Sequence, residues 1–219
     1  MSSAWSIFAG GGRGTARPSS ATADGREGGP LGAWARGGAG AAVELAVPAA
    51  RQQTDYSCGP AALRAVLSYF GVEASEEELG RLAGTSEQGT PPQGLARAAE
   101  AKGLSAQVVD GLTLDDLADV LRGGYGVVVA LQAWSGEPRA EYSNEWAAGH
   151  YVVVTYVGPG EVRAMDPSVD GEGRAFVPTQ EFLERWHDVD TKARAGLGVV
   201  LRGRAPGRMM PAVPAVRMG

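Results

Sequence analysis

The chain has 219 residues, a hydrophobic content of 44 %, a charged content of 21 % and a net charge of −5 at pH 7. These values are typical of a soluble globular protein, and the acidic balance argues against a nucleic-acid-binding surface. The single cysteine, Cys58, excludes an intrachain disulfide and most cysteine-based zinc sites, and it favours a reducing compartment. No apolar run approaches the roughly 18 residues of a transmembrane helix, and residues 1–10 lack the basic start of a secretory signal, so we expect a cytoplasmic protein.

Composition divides the chain into three parts. Residues 1–42 are rich in glycine and alanine without a hydrophobic period, which predicts a disordered tail because such a segment buries too little apolar surface to offset the entropy of ordering it. Residues 43–202 carry the hydrophobic periodicity of one folded domain. Residues 203–219 are rich in proline, glycine and methionine, and we expect them to fray.

Within the predicted domain, helices come first and strands follow. After a short lead-in strand near Val43, three helical patterns begin at Cys58, at Ser75 and at Thr90, and each ends at a glycine. Strands are then predicted at residues 106–109, 127–131, 150–157, 162–165 and 196–201, with helices after Thr113 and Thr179. This order predicts an α+β fold in which an N-terminal helical lobe packs on an antiparallel β-sheet.

Cys58 is the candidate nucleophile. It stands at a predicted helix start, because Pro60 suits the first turn of a helix and apolar residues follow at helical spacing. Free N–H groups and the helix dipole favour an anion at this end, and the thiolate is the form in which a cysteine reacts. The alternative for a lone cysteine is a small, buried, unreactive hydrophobic residue.

The two histidines are the candidates for a catalytic base. His150 follows a glycine and opens an apolar strand, which places its polar ring at a sheet edge, whereas His187 is interpreted as a solvated or helix-terminal residue. Asp166 ends the strand that returns from the one His150 begins, and in an antiparallel hairpin these two positions lie side by side. Asp166 is therefore predicted to orient the imidazole, although an Asp-Pro pair after a strand is also a common turn former.

The segment around Cys58 resembles a known active-site signature. Gln52, followed after five residues by Cys58-Gly59-Pro60-Ala61-Ala62-Leu63, is similar to the motif of the bacteriocin-processing cysteine peptidases, family thirty-nine of the cysteine peptidases. Gly149-His150-Tyr151 and Asp166-Pro167 resemble the family's His and Asp motifs. The resemblance implies a papain-like fold, a triad of Cys58, His150 and Asp166, and an oxyanion hole formed with Gln52. Gln53 is the alternative for that last role.

The resemblance also implies a reaction and its partners. It implies that the chain hydrolyses a peptide bond in a peptide or protein substrate, such as a double-glycine leader peptide, without a cofactor or a metal. The best-known members of the family are fused to ABC transporters, whereas this sequence has no membrane span and no P-loop, so a transporter is expected either as a separate partner or not at all.

Two other functions stay open. A papain-like amidase or acyl transferase would use the same triad with an amine as acceptor. A catalytically inactive domain that binds leader peptides would need neither the cysteine nor the base. A metal site built from Cys58, His150 and Asp166 is the weakest alternative, because the sequence offers no closely spaced pair of ligands. The loop before His150 is expected to narrow the substrate cleft, with Trp146 as a wall.

Overall fold

The computed structural model describes residues 42–134, 142–190, 192–204, 209–210 and 216–218. The disordered tail predicted for residues 1–42 lies outside this part of the chain except for its last residue. The helices are α1 Cys58–Tyr69, α2 Glu76–Ala83, α3 Pro92–Ala101, α4 Leu114–Arg122 and α5 Thr179–Arg185. Gly71 and Gly84 follow α1 and α2 with φ of 75° and 71°, the left-handed conformation that glycine adopts at little cost.

Apart from the first two, the strands lie in the second half of the chain. They are β1 Glu44–Leu45, β2 Ser105–Val109, β3 Gly126–Gln132, β4 Gly149–Gly158, β5 Glu161–Met165, β6 Arg174–Pro178, β7 His187–Val189, β8 Ala193–Ala195, β9 Gly198–Arg202, β10 Met209–Met210 and β11 Val216–Arg217. Among the described residues, nine of these strands form one sheet with the order β11-β6-β5-β4-β3-β9-β2, while β1 joins β10 and β4 at its side. Its pairs are antiparallel except β11–β6, and β7 and β8 form a separate hairpin.

Both faces of the sheet are covered by helices. Alternate residues of β3 point to opposite sides, so Val127, Val129 and Leu131 join one core while Val128 and Ala130 join the other. The first core packs against α4 and α5, and the second packs against α1, α2 and α3. The predicted α+β fold, with an N-terminal helical lobe on an antiparallel sheet, is confirmed, and α4 and α5 add a layer on the opposite face.

The end of the chain differs from its expected fraying. Met209–Met210 pairs with β1, Val216–Arg217 pairs with β6, and the Met218 side chain is 5 % exposed within the first core. The prediction of fraying fails for these residues because short strands can be ordered by hydrogen bonding to strands already in the sheet, and composition does not reveal such pairing. The domain limits of 43 and 202 themselves stay a prediction.

Two smaller expectations also differ from the structure. Thr179 is the first residue of α5 and Pro178 occupies the N-cap position predicted for Thr179. Strand β6 and the β7–β8 hairpin have no counterpart among the predicted elements. None of the helices within the described ranges has both the length and the apolar character needed to cross a lipid bilayer.

Candidate active site

Cys58 is the first residue of α1, as predicted. A tight turn precedes it, because the Ser57 hydroxyl donates to the Thr54 carbonyl at 3.1 Å and accepts from the Thr54 N–H at 2.9 Å. The first helical hydrogen bond runs from the Ala61 N–H to the Ser57 carbonyl, which leaves the Cys58 N–H outside the helical ladder. Cys58 is 8 % exposed, belongs to the second core and also lines a cleft.

His150 lies between Cys58 and Asp166. Its Nε2 is 2.7 Å from Asp166 Oδ1, and its ring is near enough to Cys58 for that residue to contribute to the raised pKa of the imidazole. The imidazole is 2 % exposed, and burial alone would lower its pKa, but the hydrogen bonds and negative charges of Asp166 and Cys58 outweigh burial and raise the pKa to about 10. The predicted contact between His150 and Asp166 is present, and the raised pKa favours the protonated imidazole beside the ionised Asp166.

The carboxylate of Asp166 receives three hydrogen bonds on one oxygen. Oδ1 accepts from His150 Nε2, from the Ser168 N–H at 2.8 Å and from the Ser168 hydroxyl at 2.7 Å. Burial would raise the pKa of this group, but His150 and Ser168 stabilise the ionised form more strongly and hold the pKa below its usual range. Asp166 is therefore a fixed anion behind the imidazole, oriented by the turn that follows it.

Gln52 lies beside the same turn. Its backbone N–H donates to the Pro167 carbonyl at 3.0 Å, and its Nε2 donates to the Thr54 carbonyl at 2.8 Å. A side-chain amide carries two N–H groups, so one remains available after the bond to Thr54. The Oε1 atom is buried without a hydrogen-bond partner in the described residues. The neighbouring Gln53 is exposed, and its backbone N–H binds Glu76.

A cleft of about 490 Å³ opens over Cys58 and His150. One side comes from the segment leading into α3, the other from the loop before β4 and from β7. The residues that line it are Cys58, Gln88, Gly89, Thr90, Pro91, Pro92, Gln93, Trp146, Ala147, Gly149, His150, Tyr151, Asp188, Val189, Asp190 and Leu197. Trp146, expected as a wall of the cleft, is one of these residues. The volume of the cleft is in the range of ligand-binding pockets.

His187 is buried, which corrects its interpretation as a solvated or helix-terminal residue. It begins β7, it is 8 % exposed, and its Nε2 lies 2.7 Å from the Glu145 carbonyl. Its ring contacts Trp146 with a centroid separation of 4.4 Å. The sequence did not indicate this role because the contact joins residues about 40 positions apart that no local pattern relates. His187 supports the cleft wall rather than the His150 pair.

Two further residues near the site were not singled out as site residues by the sequence. Trp134 lies beside His150, with a centroid separation of 5.0 Å, although its own side chain is 49 % exposed. Asp188 lines the cleft, and burial raises its pKa to about 6. Among the residues in the described ranges, no group of three His, Cys, Asp or Glu side chains is arranged to hold a metal ion.

Solved structures that share this fold are described as peptidases. A protein of Bacillus anthracis described as a C39-like peptidase is 19 % identical, with a TM-score of 0.60 over 76 % of this chain and 100 % of the other. A double glycine motif protease from an AMS/PCAT transporter, solved in complex with the leader peptide, is 18 % identical, with a TM-score of 0.53 over 75 % of this chain and 99 % of the other. At this identity the likeness establishes the fold.

Sequence comparison establishes the family. An uncharacterized protein of Methanothermobacter marburgensis is 58 % identical over 59 residues, which are 27 % of this chain and 42 % of the relative. The chain spans less than half of the length of the curated relatives that it matches. The profile of the Peptidase C39 family matches residues 46–190, well over half of the chain. This protein therefore belongs to the Peptidase C39 family.

Proposed function

We propose that this chain is a cysteine peptidase that hydrolyses a peptide bond with Cys58 as nucleophile, His150 as base and Asp166 as the group that orients the base. The observation that carries the proposal is that Cys58 and His150 line the same cleft, while His150 is hydrogen-bonded to the buried Asp166 carboxylate. A thiol, an imidazole and a carboxylate in this order are what nucleophilic catalysis of acyl transfer requires. Membership of the Peptidase C39 family also supports the proposal that the chain is a cysteine peptidase.

The proposed reaction follows from the charges of the resting site. The raised pKa of His150 favours its protonated form, so in the proposed reaction the ring takes the proton of the Cys58 thiol and Cys58 reacts as the thiolate. The thiolate attacks the scissile carbonyl carbon, and His150 gives its proton to the leaving amine as the C–N bond breaks. Water, deprotonated by His150, then attacks the thioester, and Cys58 leaves as the thiolate. Asp166 keeps the imidazole oriented and compensates its positive charge throughout.

The oxyanion of each tetrahedral intermediate needs hydrogen-bond donors. We assign this role to the Cys58 backbone N–H, which lies outside the helical ladder, and to the second N–H of the Gln52 amide. One such donor contributes about 3 kcal/mol to transition-state stabilisation in enzymes where it has been removed. Gln52 is preferred to Gln53 because Gln52 is tied to the turn after Asp166, whereas Gln53 is exposed.

For the substrate we propose a peptide with a double-glycine leader, and for the partner an ABC transporter. The support is the fold shared with the double glycine motif protease from an AMS/PCAT transporter, whose structure contains the leader peptide. Such a peptide would lie in the cleft with its scissile carbonyl between Cys58 and the Gln52 amide. The acyl transferase alternative requires an amine to reach the thioester in place of water, and no observation favours it.

The test is a peptide chloromethyl ketone that ends in Gly-Gly, incubated with the folded protein and followed by mass spectrometry. We expect one adduct, on Cys58, and cleavage of the matching peptide amide. Cys58→Ala should abolish the adduct, and His150→Ala should slow its formation by about 10² or more, because the thiolate then loses its cationic partner. Gln53→Ala is the matched control and should react like the unchanged protein. An inert Cys58 in folded protein would overturn the proposal.

A further inference from the structure

Charge in the cleft is unevenly placed. Besides Cys58 and Tyr151, the lining side chains that carry or can carry charge are His150, Asp188 and Asp190. His150 is compensated by Cys58 and Asp166, and Asp190 Oδ2 accepts from Arg194 Nε at 3.0 Å. Asp188 is different, because its Oδ1 accepts only neutral donors, the Val189 N–H at 2.8 Å and Gln132 Nε2 at 3.4 Å. In the portion of the chain that is described, Asp188 forms no ion pair with an arginine or a lysine.

The Asp188 carboxylate lies next to the reacting groups. A Cβ placed on Gly149 would be 2.8 Å from Asp188 Oδ1, so the carboxylate packs against the backbone that leads directly into His150. Tyr151, on the other side of His150, also lies within the electrostatic influence of Asp188. A group that binds Asp188 is therefore held close to a peptide bond positioned over Cys58.

The surroundings of Asp188 favour a cation as its occupant. A largely buried carboxylate without a positive partner is destabilised, which is why its pKa is raised to about 6, and a cation brought into the cleft would relieve this cost. Trp146 forms part of the same wall with 41 % of its surface exposed, and an aromatic face adds a favourable cation–π interaction. Carboxylate and aromatic ring together form a pocket suited to an ammonium or guanidinium group.

We propose that Asp188 is a specificity-determining residue that binds a lysine or arginine side chain of the peptide substrate close to the scissile bond. This inference rests on the proposed function and deepens it. A volume of about 490 Å³ leaves room for a long side chain beside the peptide backbone.

The test uses the full chain and a peptide library prepared from a proteome with a glutamate-specific protease, which leaves lysine and arginine intact. Cleavage products are sequenced by mass spectrometry, and residue frequencies are compared at each position on both sides of the cut. At one position, we expect lysine and arginine to be enriched about tenfold over neutral residues of similar size. This is the selectivity that one good pocket contact provides. Asp188→Asn should remove this enrichment.

Two controls separate the possible outcomes. Asp115→Asn removes the same charge from an exposed position on α4, outside the cleft, and should leave the enrichment unchanged. The unchanged protein should also lose the enrichment between pH 7.5 and pH 5, because Asp188 becomes protonated. The other titratable or charged groups around it are His187, Asp190, Tyr151 and the cross-strand Arg194, whose guanidinium is bound by Asp190 and Asp110. This measurement does not depend on the folding of a variant.

Each result decides between the two proposals. Cleavage without a preference for lysine or arginine, or a preference that survives Asp188→Asn, overturns the role of Asp188 and leaves the peptidase assignment intact. Absence of any cleavage, together with an unlabelled Cys58, overturns the proposed function and this inference with it. Enrichment that is lost on Asp188→Asn and kept on Asp115→Asn supports both.

Discussion

The side-chain oxygen of Gln52 is a buried acceptor that lowers the stability of the fold. Its Oε1 has no partner among the described residues, and leaving a buried acceptor unpaired costs about 1–3 kcal/mol. A side chain retained at such a cost is better explained by what its other amide atom does. Nε2 has one N–H bound to Thr54 and one free, which is the arrangement needed to bind an oxyanion as it forms.

We therefore expect Gln52→Ala to separate activity from stability. The kcat for peptide hydrolysis should fall by about 10²–10³, the effect of removing one oxyanion donor, whereas the Tm should stay the same or rise. Gln53→Ala provides the control, since its exposed side chain is one residue away and its backbone bond to Glu76 survives the substitution. Steady-state kinetics and thermal unfolding on both variants measure this. Equal kinetic losses in the two variants would contradict the assignment.

Ser168 acts on Asp166 rather than on the substrate. Its hydroxyl and its N–H both donate to Asp166 Oδ1, the oxygen that holds His150, so it is a positioning residue for the triad. Removal of the hydroxyl in Ser168→Ala should cost about 1.5–3 kcal/mol of unfolding free energy near neutral pH, the range for a hydrogen bond to a charged group. Ser168→Thr keeps the hydroxyl and should restore most of the loss.

The pH dependence distinguishes this role from simple packing. The folded-state pKa of Asp166 lies below its ordinary value of 3.8, so its ionisation stabilises the fold above that pH, and this stability is lost as the pH falls through the folded pKa. In Ser168→Ala the folded pKa rises towards 3.8, so the difference from the unchanged protein should be full at pH 7 and shrink below pH 4. Urea unfolding at pH 7 and pH 3 tests this. A loss that is equal at both pH values would indicate packing alone.

At the scale of elements, the predictable parts of the fold were those with local signals. The helix starting at Cys58 follows from Pro60 and an apolar period, and the pairing of His150 with Asp166 follows from hairpin geometry. The β7–β8 hairpin could not be predicted in this way, because residues 187–195 are mostly polar and lack a clear alternation. Their order comes from distant contacts, such as that of Gln132 with the His187 carbonyl, so Asp188 was missed as a cleft residue.

The helical glycines Gly80 and Gly94 have different surroundings, so substitution by alanine should change the stability of the protein in opposite directions. A Cβ at Gly80 in α2 would meet its nearest atom at 3.7 Å, an ordinary contact, so Gly80→Ala should stabilise the protein by about 0.5–1 kcal/mol through helix propensity. A Cβ at Gly94 in α3 would overlap the carbonyl oxygen of Ala83 at the end of α2. Gly94→Ala should therefore destabilise by about 1–3 kcal/mol, since backbone must move.

Chemical denaturation of the two variants measures the difference in sign. Both changes add one methyl group to a glycine within a helix, so each is the control for the other. If α2 and α3 packed less closely than described, both variants would gain stability, which would contradict this contact between the two helices. Loss of stability in both would contradict the open space beside Gly80.

In the molecule as a whole, the proposed site joins the helical lobe to the sheet. Cys58 comes from α1 on one face, while His150 lies in β4 and Asp166 directly follows the end of the adjacent strand β5. The segment before α1 is tied to the turn after β5: Arg51 donates to the Ser168 carbonyl at 2.7 Å and pairs with Asp170 at 2.6 Å. The segments that carry the two halves of the proposed triad are thus joined outside the cleft.

The ends of the chain should contribute unequally to this assembly. Met218 is buried in the first core, and β11 extends the sheet through β6, so a chain that ends at Arg202 should lose about 1.5–3 kcal/mol from the side chain alone and about 4–8 °C in Tm. Met218→Ala should reproduce a large part of this loss without shortening the chain. Removal of residues 1–42 should leave the Tm within about 1 °C, because their composition offers little apolar surface to bury. Thermal unfolding of the three variants measures these effects, and a Tm that falls equally on removing either end would contradict the predicted start of the domain at residue 43.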